Sequence, residues 1–123
     1  MVKPMRFIFA IIVAAGFWSA LGHADDAKPL TGTEITALLS GNTVKGSNFS
    51  EYYDPSGAVR GSDKGAAYTG SWRVANDALC VDFASYNYKE CITISAAAAG
   101  KYEFKDSKDT HTNTIVKGNP GNL

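Results

Sequence analysis

Hydrophobic and polar positions divide the 123-residue chain into three regimes. The first is an unbroken apolar run from Phe7 to Phe17 behind two cations, Lys3 and Arg6. A polar boundary follows as Leu21-Gly22-His23-Ala24, with small Gly22 and Ala24 spaced as a signal peptidase pocket requires and Asp25-Asp26 just beyond. This reads as the charged, apolar and cleavage regions of a secretory signal, cut after Ala24. The apolar run is shorter than the roughly 20 residues a membrane-spanning helix needs, and no cysteine sits at the cut to take a lipid. Residues 1–24 are therefore expected to be a signal peptide and 25–123 one mature domain, periplasmic or secreted, with no stable membrane anchor after cleavage.

The second regime is short and helical. Asp25 to Pro29 reads as a disordered leader, after which Thr31 and Glu34 have the spacing of a capping box and Leu30 can close over Ile35 as a hydrophobic staple. Ile35, Leu38 and Leu39 recur at helical spacing, and Gly41-Asn42 supplies a left-handed stop. The pattern predicts a helix from Gly32 to Ser40 that lays this stripe on a sheet.

Everything after Asn42 runs in period two. Tyr68, Gly70, Trp72 and Val74 share one face and Thr69, Ser71 and Arg73 the other, while Tyr102 and Phe104 oppose Lys101, Glu103 and Lys105. Breaks fall at Asp54-Pro55-Ser56-Gly57, Ser62-Asp63-Lys64-Gly65, Ala75-Asn76-Asp77, Gly100 and Asp106-Ser107-Lys108-Asp109. The fold class is mainly β: an antiparallel meander with one buried and one wet face, forming a small lipocalin-like or partly open barrel, preceded by one short helix. At this length the mature chain looks short for an eight-stranded cup that encloses a ligand cavity, so Trp72 is expected in the core of a smaller sheet.

Two cysteines, Cys80 and Cys91, are an even count in an oxidising compartment and read as one disulfide. Pairing Cys80 directly opposite Cys91 places Leu79 against Ile92 and Phe83 against Tyr88. Leu79, Val81, Phe83, Ile92 and Ile94 then share one face, while Asp82, Thr93 and Ser95 lie on the other with the sulfurs. One register thus satisfies both the bond and the hydrophobic pattern.

Charge and inventory narrow the function. Without Lys3 and Arg6, ten Lys and Arg stand against twelve Asp and Glu, with no basic cluster, which argues against nucleic acid as a partner. The mature chain has a single histidine, His111, in a polar segment, and no Gly-x-Ser-x-Gly elbow; His111 is expected to be a solvated residue at a strand edge. Asp106, Asp109 and His111 match no calcium or zinc loop spacing and read as turn residues, so no metal or cofactor is expected. Glu51, Asp54, Asp82, Glu90 and Glu103 carry no mark of a catalytic pair and are assigned to solubility. Asn48-Phe49-Ser50 is formally a glycosylation sequon and is disregarded in a signal of bacterial type.

The loop inside the disulfide, Ala84 to Glu90, is rich in the Tyr, Ser and Asn that recognition loops favour. A staple at its base lowers the ordering cost of binding, which makes Tyr86, Asn87 and Tyr88 the candidate binding residues. Tyr88 covering Phe83 across the hairpin is the plainer alternative.

Leu38 to Thr43, Glu51 to Gly57, Gly70-Ser71-Trp72-Arg73-Val74, Leu79-Cys80, Cys91 and Gly118-Asn119-Pro120 together resemble a family of small exported proteobacterial proteins of unknown function. The resemblance implies a periplasmic β-rich domain and brings no catalytic residue with it. The leading expectation is a non-enzymatic binding or inhibitor-like module acting on a protein through Tyr86 and Tyr88 or the open sheet face. The alternative is a carrier of a small apolar ligand in a barrel interior lined by Trp72, Phe83 and Phe104.

Overall fold

The computed structural model describes residues 28–123; the signal segment expected at 1–24 and its cut after Ala24 lie outside them. The leader is not loose where it is described. Pro29 bridges Ser95, and the Leu30 N–H donates to the Ile94 carbonyl at 2.7 Å, so the chain is fastened to the sheet before its helix begins.

Helix α1 spans Gly32–Leu39. Thr31 accepts from the Glu34 N–H, and Glu34 reaches back to the Thr31 N–H at 2.8 Å, completing the expected capping box. Ser40 has left the helical region, and Gly41 turns the chain with φ 79°. Ile35 and Leu39 are fully buried, and Leu30 packs against the core cluster that contains Ile35.

Eight antiparallel strands follow in a simple meander: β1 (Asn42–Lys45), β2 (Phe49–Tyr53), β3 (Ala58–Asp63), β4 (Ala66–Ala75), β5 (Ala78–Phe83), β6 (Tyr88–Ala96), β7 (Lys101–Lys105) and β8 (Thr110–Lys117). Strand β8 pairs back onto β1, with Thr43 opposite Val116, and the sheet closes into a barrel. The sheet is thus neither partly open nor smaller than eight strands, and the chain is long enough to build the cup. Short connections make that possible. Lys64-Gly65 and Asn76-Asp77 are two-residue turns with both residues left-handed, the geometry that matches strand twist. The break expected over Ser62-Asp63-Lys64-Gly65 narrows to its last two residues, because Ser62 and Asp63 carry ladder pairs, to Ala67 and Ala66.

The hairpin of β5 and β6 has the expected register: Cys80 is bonded to Cys91, Leu79 faces Ile92 and Phe83 faces Tyr88. The alternations on β4 and β7 also hold. Thr69, Ser71, Arg73, Lys101, Glu103 and Lys105 are exposed, while Phe104 is buried. Helix α1 lies at the end that carries the β4–β5 turn, where the Gly32 N–H donates to the Asp77 carboxylate at 2.7 Å. That end is plugged. The other end is ringed by the β1–β2, β3–β4, β5–β6 and β7–β8 connections.

Candidate functional site

The site is the barrel interior on the side away from α1. Period two sends Phe49, Glu51 and Tyr53 of β2 inward, facing Gly61 and Val59 of β3, then Tyr68 and Gly70 of β4, and Val81 and Phe83 of β5. Gly61 and Gly70 are there to make room. A Cβ on Gly61 would overlap the Tyr68 ring, and one on Gly70 would overlap the Phe83 ring. Small residues opposite large ones let the aromatic side chains lie along the wall instead of filling the centre.

What remains open is a cavity of about 390 Å³ lined by seven aromatic rings, within the size range of small-molecule pockets. Aromatic contacts set the walls: Tyr68 meets Phe83 edge-to-face with centroids 5.5 Å apart, Tyr86 meets Tyr68 edge-to-face at 5.3 Å, and Phe83 lies tilted against Tyr88 at 6.3 Å. Val44, Val81 and Ile92 supply aliphatic patches, and Phe104 and Asn113 complete the far wall.

A single carboxylate organises the polar part. Tyr53 donates its hydroxyl to one oxygen of Glu51 at 2.9 Å, and Tyr68 donates to the other at 2.6 Å. Burial raises the Glu51 pKa above the ordinary 4.5; the two phenols oppose that shift and the Asp63 charge adds to it. Burial, reinforced by the neighbouring carboxylate, raises both tyrosines, Tyr53 and Tyr68, above 10.0. Near the mouth, Tyr88 donates to Asp106 at 3.0 Å. The Asp106 carboxylate in turn accepts the N–H groups of Asp109 and Lys108, which hold it below the usual 3.8. Asp106 thus serves its own turn, as the sequence suggested, and also the cavity wall.

The three binding candidates separate. Tyr88 belongs to β6, lines the cavity and covers Phe83. Tyr86 ends a single 3-10 turn, Ala84–Tyr86, and stands at the rim, 55% exposed against Tyr68. Asn87 holds the left-handed position, φ 52°, that lets the chain reverse. Of the expected carrier lining, Phe83 and Phe104 face the cavity but Trp72 does not. Trp72 stacks edge-on against Tyr53 at 5.6 Å and donates its indole N–H to the Asp54 carbonyl at 2.8 Å. His111 is exposed but has no strand edge to sit on; opposite Phe104, it lines the mouth. Glu51 is not a surface carboxylate. Its signal in the sequence is an acid alternating between Phe49 and Tyr53 on one face of a strand. No protein-family model, curated protein or solved structure matches the chain.

Proposed function

We propose that the domain is a non-enzymatic binding protein that holds a small molecule inside its barrel, acting outside the cytoplasm after export. The observation that carries this reading is the aromatic cavity of about 390 Å³ in a barrel closed at one end by α1. An interior that served stability alone would be filled to the density of an organic crystal. Here Gly61 and Gly70 give up their side-chain space to the rings of Tyr68 and Phe83, which lie along the wall and leave the centre open. The Cys80–Cys91 disulfide fits an oxidising compartment, and among the described residues no helix is long and apolar enough to cross a membrane.

A protein-facing role for the hairpin loop rests on exposed Tyr86 and Asn87, since Tyr88 turns inward. Two-dimensional NMR of the isotope-labelled mature domain, titrated with a library of small aromatic and aliphatic compounds, tests the cavity reading. Saturable shifts confined to Phe49, Tyr68, Phe83, Phe104 and their strand neighbours are expected. Shifts restricted to outward residues such as Thr69 and Arg73, or no saturable shift at all, would overturn it.

A further inference from the structure

Resting on that reading of the cavity, we infer that the ligand class is a small organic cation, an amine carried on an apolar or aromatic body, with its ammonium group directed at Glu51. The site is the cavity itself; its polar groups decide the class. The hydroxyls of Tyr53, Tyr68 and Tyr88 are already committed as donors to carboxylates, so they present only oxygen lone pairs to a guest. Glu51, Asp63 and Asp106 are carboxylates, and His111 and Asn113 are the lining side chains that carry N–H groups. The Tyr86 hydroxyl at the rim is a further donor, so a guest that passes it meets mainly acceptors.

On the strands, basic side chains are kept on the other face. Arg60, Arg73, Lys89, Lys101 and Lys105 occupy the outward register positions of β3, β4, β6 and β7, Lys64 and Lys108 are exposed in turns at the mouth, and among the described residues no Lys or Arg lines the cavity. The described ion pair, Arg60 with Asp54 at 3.2 Å, is formed by an outward-facing arginine. Among the described residues Glu51 thus has two phenols and no cation beside it, and each of its oxygens keeps a lone pair beyond the one its tyrosine uses. Ring faces add to this, since the negative face of an aromatic ring attracts an ammonium. A carboxylate-bearing guest, a fatty acid for example, would bring a like charge toward three acids and find no guanidinium or ammonium group among the described lining residues to meet it.

Calorimetric titration with 2-phenylethylamine, 2-phenylethanol and phenylacetate, which share a ring and differ in head-group charge, tests the class. The amine is expected to bind about tenfold or more tightly than the alcohol, as a charge-assisted hydrogen bond implies, and phenylacetate weakest of all. Glu51→Gln should weaken the amine about tenfold and leave the alcohol within about twofold. Should that variant fail to fold, the head-group comparison on the unaltered protein still decides. Equal affinity for amine and alcohol, or a preference for phenylacetate, overturns the cation class and leaves the cavity reading standing. Failure of all three to bind also overturns the class, and the NMR library then tells whether the cavity reading falls with it.

Discussion

At the scale of single residues, Glu51 couples the cavity to the folding equilibrium. Its folded pKa is raised above the ordinary 4.5. The folded state therefore holds that proton more tightly than the unfolded chain. The resulting stability is complete below the unfolded value and is lost as pH rises through the folded one. Around it stand Tyr53 on its own strand, Tyr68 on β4 and Asp63 on β3; both phenols are shifted upward and stay neutral near pH 7 and below. Asp54 and Asp106 act with the opposite sign, their lowered pKa values giving stability that is lost as pH falls below about 3.8. Melting temperatures measured from pH 7 down to 4.5 should therefore rise in the native protein and rise less in Glu51→Gln. Parallel curves would mean that Glu51 ionises as freely in the fold as out of it. The sequence displayed the alternation Phe49, Glu51, Tyr53 openly, yet nothing local says that the tyrosine donating to the second oxygen of Glu51 sits 17 residues away.

Among elements, the hairpin of β5 and β6 was the most legible, because a covalent constraint and an apolar alternation had to agree on one register. Helix α1 was nearly as clear from Thr31, Glu34 and Gly41, ending one residue early where Ser40 turns extended. The break over Ser62-Asp63-Lys64-Gly65 contains the turn but begins two residues early, since Ser62 and Asp63 are turn-forming side chains that the ladder keeps in β3. The disulfide spans only 11 residues of chain, so its stabilisation through the unfolded state is modest. Replacing both Cys80 and Cys91 with Ala should shift the urea midpoint downward by the equivalent of about 2–3 kcal/mol, with the far-ultraviolet spectrum of the folded protein unchanged. An unmoved midpoint would show that Leu79, Phe83, Ile92 and Tyr88 hold the register unaided.

For the molecule as a whole, one seam turns a meander into a barrel. Every other strand pair joins sequence neighbours; β1 and β8 meet from opposite ends of the domain. Local periodicity reports which face is buried and is silent on whether the last strand finds the first, which is why closure, and with it the cavity, was not readable in advance. Side chains fasten the seam. Asn42 accepts the Gly118 N–H at 3.0 Å while donating to the Leu38 carbonyl at 2.8 Å, and buried Thr43 donates to the Gly118 carbonyl at 2.7 Å. Asn42→Ala strands a donor and an acceptor at once and should cost about 1–3 kcal/mol in chemical denaturation; a loss below about 0.5 kcal/mol would place seam stability in the backbone ladder instead. The mouth has a different consequence, one of time. Its connections are tight turns, the longest of them fastened by their own backbone hydrogen bonds, Asn87 to Ala84 and Asp106 to Asp109. None is long enough to fold over what enters. On the proposed binding reading, uptake and release would then need no conformational step, residence would be governed by the strength of the wall contacts, and occupancy would follow the surrounding concentration promptly in both directions.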